Sequence, residues 1–210
     1  MPEQTPSSPS QPVLSDRLRA VFAGVTSRAG ETVHGWGVHP DWITIAGLIV
    51  VGIGAFFIAR GEFLPAAILL LISLPLDALD GAVARAMKRK DRRGAVLDST
   101  LDRYADSLIF IGFAYYFASI GNLGYMIVAL VALTGTFAVS YTRARAGEAG
   151  LSVKIGIFSR LERVIALLVI LFIPQVIELG MWVLAIGTNF TALQRLWYVY
   201  KHLDRDISPE

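Results

Sequence analysis

Four aspartates, at positions 77, 80, 98 and 102, stand in the run DALDGAVARAMKRKDRRGAVLDSTLD that fills residues 77–102. Asp77 and Asp80 are three apart and share one face of a helix. Asp98 and Asp102 are four apart and share a face of the next. The short basic turn MKRKDRRG joins the two helices, so they pack antiparallel and the two faces can meet. The surrounding segments are very apolar, and an aspartate near the centre of a membrane helix costs about 2.5–3.5 kcal/mol, so four cost roughly 10 kcal/mol if bare. Carboxylates this crowded cannot all stay ionised without cations. An oxygen-only donor set, with no cysteine in the chain and no histidine nearby, suits Mg²⁺, Mn²⁺ or Ca²⁺ rather than zinc. Two such ions would clamp a pyrophosphate undergoing in-line displacement.

The residues between the aspartates suit that chemistry. The full pattern reads D-x2-D-G-x2-A-R-x8-G-x3-D-x3-D, with Gly81, Ala84, Arg85 and Gly94 at its other fixed positions. Gly81 removes a side chain beside a ligand, where a base or phosphate can approach the backbone. Ala84 keeps the same face open one turn on, and Gly94 clears the face before Asp98. Arg85 offers a guanidinium to a phosphate or a base edge.

The elements that must carry these residues are membrane helices. The 210 residues are 54% hydrophobic and 17% charged, with a mean hydropathy of +0.56, too apolar for an ordinary soluble domain. Six apolar segments near bilayer length fall at about 41–60, 63–87, 95–119, 122–144, 160–178 and 180–201. Gly61, Gly94, Gly121 with Asn122, Gly147 with Gly150, and Gly180 punctuate them. Ahead of them, Leu14, Leu18, Val21, Phe22 and Val25 trace an amphipathic juxtamembrane helix. The expected organisation is all-α: a disordered Pro/Ser tail over 1–12, the amphipathic helix over 13–35, and one six-span membrane domain over 36–203. Of 19 Lys and Arg, only Arg60 lies in a loop opposite the N-terminus. The positive-inside rule then puts both termini, and the aspartates, on the cytoplasmic side of a cell membrane. No long basic tract suggests nucleic acid. His34, His39 and His202 are too scattered for a ligand set. The aromatics Trp36, Trp42, Trp182, Trp197, Tyr198 and Tyr200 suit an interfacial belt.

A second basic stretch, SYTRARAGEAGLSVKIGIFSRLER from Ser140 to Arg163, brings Arg143, Arg145, Lys154, Arg160 and Arg163 to the cytoplasmic ends of adjacent spans, where Arg195 can join them. Single juxtamembrane cations are ordinarily topology determinants touching anionic headgroups. Five in one loop region exceed that need, and a phosphate on a substrate accounts for them.

The eight fixed positions of the aspartate pattern resemble those of the CDP-alcohol phosphotransferase family, membrane enzymes of phospholipid synthesis. The resemblance extends over residues 38–201. It implies that Asp77, Asp80, Asp98 and Asp102 bind two ions, Mg²⁺ or Mn²⁺, with Asp102 also the general base. It further implies that Asp80, Gly81, Ala84 and Arg85 hold the cytidine diphosphate of CDP-diacylglycerol or a similar CDP-lipid, with Gly94 beside them. Pro40 and Thr44 match a Pro-Asn-x-x-Thr element that lies against the nucleotide, although Asp41 stands where the family has Asn. The Tyr141–Arg163 run is similar to that of members using inositol 1-phosphate, although Glu148 is displaced by one position and Leu161 replaces a proline. By that resemblance Arg143, Arg163 and Arg195 grip the acceptor phosphate, giving phosphatidylinositol phosphate and CMP. Glycerol 3-phosphate is the alternative acceptor. From another class, a divalent-cation transporter would also gather carboxylates in a bundle. The resemblance also implies a homodimer.

Overall fold

The computed structural model describes residues 28–87, 93–153 and 155–203, and all its regular structure is helical. A helix whose described part is 28–35 (α1) is followed by α2 (Pro40–Ala59), α3 (Phe63–Ala86), α4 (Arg93–Ser119), α5 (Leu123–Glu148), α6 (Arg160–Phe172) and α7 (Ile177–Leu203). Most of the expected amphipathic helix, and the tail before it, lie outside the described residues. Within α1, Gly30 is buried and packs its backbone directly on Ala82 of α3.

Four helical segments are long and apolar enough to cross a membrane: Pro40–Ala59, Phe63–Ala86, Leu123–Glu148 and Pro174–Leu203. Lipid is the natural neighbour for the many large apolar side chains on their outer faces, among them Ile49, Phe56, Leu64, Leu130 and Ile186. The chain is a multi-pass membrane protein. Although α4 is long, it carries Asp98, Asp102, Arg103 and Asp106 in its first half. At 13 residues, α6 spans only about 20 Å.

Two hairpins share one turn geometry. Gly61 and Gly121 take φ of +74° and +76°, in the left-handed region, and the amides that follow them bond back to Phe57 and Phe117 carbonyls at 2.9 and 2.8 Å. That closes the last turn of each helix, a role open to glycine without steric cost. The break between the last two helices differs from expectation. It falls at Ile173, followed by a 3₁₀ turn over Pro174–Val176, because Pro174 has no N–H to continue α6. Gly180 is no turn residue but lies inside α7, packed against Ile170. α5 runs to Glu148, so Arg143 and Arg145 are both helical.

The core is formed by Phe110, Phe113 and Phe117 of α4 with Ile58, Leu171, Met181 and Leu184, all at most 2% exposed. α2 packs on α3 and α4, α4 on α5, and α5 on α7. The α2–α4 crossing is unusually close, since a Cβ at Gly112 would stand 2.6 Å from the Ala55 carbonyl oxygen. The α5–α7 seam is polar as well as small: Thr188 Oγ1 lies 3.4 Å from Ala132 O, and Asn189 Nδ2 donates to Val131 O at 3.0 Å, both across the seam. Interhelical hydrogen bonds of this kind are a common glue in lipid, where apolar side chains gain little by leaving the tails for each other.

Candidate active site

α3 and α4 bring the expected aspartates together, but among the described residues they do not pack along each other as expected: both pack on α2, and α3 also on α6. Asp77, Asp98 and Asp102 each offer an oxygen within 4.8 Å of the others. Asp80, on the buried side, accepts a hydrogen bond from Thr44 Oγ1 at 2.7 Å. Thr44 lies one turn into α2, whose first residue is Pro40. The α2 cap is His39, whose Nδ1 accepts from the Asp41 amide at 3.4 Å and stands 3.4 Å from the Asp41 carboxylate. These are the residues by which α2 meets the site.

Carboxylate oxygens at these separations, with no histidine or thiolate, form a donor set that fits a hard divalent ion, whose opposite ligands stand about 4 Å apart. The cluster visibly collects positive charge. Nη2 of Arg160, reaching over from α6, stands 2.6 Å from Asp102 Oδ1 and 3.0 Å from Asp77 Oδ1.

Three cavities converge on the cluster. The first, of about 250 Å³, is bounded by Pro40, Asp41, Thr44, Asp80, Gly81, Ala84, Gly94 and Asp98. Six of the seven residues expected to hold the nucleotide thus share one wall. The seventh, Arg85, is outside that lining. It folds back along its own helix, where its Nη1 would be 3.3 Å from a Cβ on Gly81. The second cavity leads from Asp77, Asp80 and Asp102 between α2, α3, α4 and α6, past Val51, Leu70, Leu74, Ile109 and Leu167. Its polar end holds the carboxylates with Thr44, Ser73, Asp106 and Arg160, and the rest of its wall is apolar.

The third, of about 460 Å³, is lined by Arg143, Arg160, Arg163 and Arg195 together with Ser140, Asp102 and Arg103. Arg195 and Arg163 are nearly enclosed, at 3% and 2% exposure. Arg195 is locked by two carbonyls, with Nε donating to Ile155 O at 2.8 Å and Nη1 to Val139 O at 2.9 Å. The loop between α5 and α6 is pinned at a second point, where the Phe158 amide donates to Thr191 Oγ1 at 3.0 Å. Gly156, at φ +128°, lies over this contact, and a Cβ there would stand 3.2 Å from Arg195 Nε. Arg145 is not part of the cavity. It pairs with Glu148 on the exposed surface of α5, as expected for a position two residues from Arg143, which faces elsewhere on the wheel. Lys154 lies outside the described residues.

Asp106 was not anticipated. Its carboxylate takes Arg163 Nη2 at 3.3 Å and lies 3.5 Å from Arg103 Nη2. The signal was present, since Asp98, Asp102 and Asp106 recur at i, i+4 and i+8 on one stripe of α4.

The CDP-alcohol phosphatidyltransferase family model matches residues 37–193. Among curated relatives, the phosphatidylinositol phosphate synthase of Streptomyces avermitilis is 35% identical over 198 residues, covering 88% of this chain and 81% of the relative. The archaetidylinositol phosphate synthase of Pyrococcus horikoshii is also 35% identical, over 91% of this chain and 99% of the relative. The phosphatidylinositol phosphate synthase of Mycobacterium tuberculosis, solved with CDP-DAG bound, superposes with a TM-score of 0.79 at 31% identity, over 84% of this chain and 94% of that one. The same enzyme in complex with manganese and citrate gives 0.78 at 31% identity, over 83% and 88%. The aspartate pattern, the cavities around it and a family match over most of the chain agree: this protein belongs to the CDP-alcohol phosphatidyltransferase family.

Proposed function

We propose that the protein transfers a phosphatidyl group from CDP-diacylglycerol to a phosphorylated polyol, inositol 1-phosphate, giving phosphatidylinositol phosphate and releasing CMP. The observation that carries this reading is that Asp102 belongs both to the carboxylate cluster and to the wall of the arginine-lined cavity. One carboxylate therefore faces the site for a pyrophosphate and the site for a second, anionic substrate. The named relatives, which make inositol lipids of bacterial and archaeal type, support the choice of acceptor.

In this reading the cytidine end of the liponucleotide occupies the cavity of Pro40, Thr44, Gly81, Ala84 and Gly94, and its lipid end the apolar cavity beyond Asp80. Asp77, Asp80, Asp98 and Asp102 hold two divalent ions, Mg²⁺ or Mn²⁺. When bound, such ions neutralise pyrophosphate charge and hold the phosphorus in line for attack. Arg143, Arg160, Arg163 and Arg195 receive the acceptor phosphate, a geometry that guanidinium groups match well. Asp102 accepts the proton of the acceptor hydroxyl. That oxygen then bonds to the lipid-side phosphorus, the bond from this phosphorus to the bridging oxygen breaks, and CMP departs. Much of the rate comes from holding two substrates at fixed separation.

The same reading completes the architecture: six spans, counting α4 and α6, with both termini and the site at the cytoplasmic face, an amphipathic helix before residue 36, and a homodimer. Clustering of Arg and Lys at one end of the helices supports the orientation.

The test is CMP release from CDP-diacylglycerol by the purified protein. Inositol 1-phosphate is expected to drive release, EDTA to stop it, and Mg²⁺ or Mn²⁺ to restore it. Release with glycerol 3-phosphate alone would reassign the acceptor, and none with either would remove the enzyme reading. Thr44→Val takes away the donor to the buried Asp80 carboxylate. It should raise the KM for CDP-diacylglycerol by about tenfold while leaving the KM of the acceptor unmoved. Equal KM values in variant and wild type would detach Thr44 from the nucleotide side.

A further inference from the structure

Asp106 lies one helical turn past Asp102 and is 9% exposed. It stands outside the aspartate pattern and outside the three-carboxylate cluster. Its two neighbours are both guanidinium groups, Arg163 at 3.3 Å and Arg103 at 3.5 Å. The Arg163 side chain is 3% exposed, and its bond to Asp106 is its one hydrogen bond to protein among the described residues. A guanidinium that enclosed needs a counter-charge to remain in place. Its other donors meet no hydrogen-bond acceptor among the described residues, and Arg163 lines the arginine cavity. Arg103 continues the chain of contacts: the nitrogen facing Asp106 is also 3.7 Å from Asp102 Oδ2, while its Nε is buried without a partner. Four side chains thus run Asp102, Arg103, Asp106, Arg163, from the carboxylate cluster to the deepest cation of the third cavity.

We propose that Asp106 is a positioning residue for the phosphorylated acceptor: it holds Arg163 by one nitrogen and, through Arg103, keeps that guanidinium at a fixed spacing from Asp102. This rests on the reading of the arginine cavity as the acceptor site. In this role the carboxylate acts through Arg163 and Arg103, and it also borders the apolar cavity. Its work is to stop a long side chain with several rotatable bonds from sampling positions in which the acceptor phosphate is gripped but the hydroxyl is out of reach of Asp102.

The test is a double-mutant cycle in the CMP assay, with Mn²⁺ binding followed by electron paramagnetic resonance. Asp106→Leu should raise the KM for inositol 1-phosphate by about tenfold or more, as expected for a lost charge-assisted contact. Asp106→Asn keeps an accepting oxygen and should raise it by only about threefold. The Mn²⁺ affinity should stay within about twofold in both, since the three-carboxylate cluster does not include Asp106. The KM for CDP-diacylglycerol should move less than that of the acceptor, since Asp106 borders the apolar cavity but not the nucleotide one. In an Arg163→Ala background Asp106→Leu should add nothing further, because the side chain it positions is gone. If Asp106→Leu does not fold, Asp106→Asn completes the same cycle. Additive effects in the cycle, an unchanged acceptor KM, or a parallel loss of Mn²⁺ binding and both KM values would overturn the role. Calorimetry with inorganic phosphate repeats the cycle without turnover. A wild-type protein that uses no polyol phosphate sinks the acceptor reading, whereas additivity in phosphate binding sinks the role of Asp106 by itself.

Discussion

Asp102→Asn is expected to lower kcat for CMP release by about a thousandfold or more, within the range for a lost general base. The substitution keeps the shape of the side chain and an oxygen for Arg160, which stands 2.6 Å from the carboxylate. It removes the ability to take a proton, and one negative charge from the cluster. CDP-diacylglycerol should still bind, because the nucleotide cavity is lined by Asp80 and Asp98, and Asp102 only borders the apolar cavity beside it, where Asn has the same shape. The measurement is single-turnover CMP release at saturating metal, alongside equilibrium binding of the liponucleotide. A variant that turns over at more than a tenth of the wild-type rate would remove Asp102 from the proton-transfer step. Loss of liponucleotide binding in parallel would make it a ligand first and a base second.

Gly112→Val should be the most damaging substitution remote from the site. Its Cβ would fall 2.6 Å from the Ala55 carbonyl oxygen, and a backbone atom cannot swing aside as a side-chain tip can. The α2–α4 pair must then separate or shear, and overpacking of this kind costs about 1–3 kcal/mol or more. For a chain of this size that corresponds to a fall in Tm of roughly 5–10 °C. Activity should fall with it, because α2 carries Thr44 and α4 carries Asp98 and Asp102. Gly52→Val, on α2 and facing α4, is the control. The nearest atom to its Cβ is a Leu108 methyl at 3.8 Å, an ordinary contact, so its Tm should match wild type within about 2 °C. Equal thermal stability of the two variants would show that the close crossing is not needed.

Much of the site could be read from residue types, and the reason is physical. Charged groups in an apolar chain stand out against their background, so Asp77, Asp80, Asp98 and Asp102 were identifiable without any geometry, and helical spacing placed them on two facing surfaces. Gly61 and Gly121 were equally legible, since few other residues close a helix at positive φ. What could not be read was pairing between distant segments. Asp106 and Arg163 are 57 residues apart, and neither carries a local signal that the other is its counter-charge. Arg160 is similar: its place beside Arg163 puts it with the arginines of the third cavity, which it lines, but nothing local signals that its guanidinium also lies on Asp77 and Asp102. Arg145 differs from Arg143 because α5 continues past Gly147 and turns the two to different faces. The end of α6 departs from the glycine signal for a simpler reason: a membrane helix tolerates a glycine such as Gly180 in its interior where a neighbour packs close, and Pro174 ends the ladder.

The tether of Arg195 to the Val139 and Ile155 carbonyls gives the two halves of the site different birthdays. Every residue lining the nucleotide cavity lies between Pro40 and Asp98, so that half is complete once the first three described long helices have left the ribosome. The arginine cavity waits for the last helix, because its far wall and the anchor of its loop are both on α7. On the proposed reading, a chain cut short after α5 would own a place for the nucleotide, lack the α6 wall of the apolar cavity and have no place for the polyol.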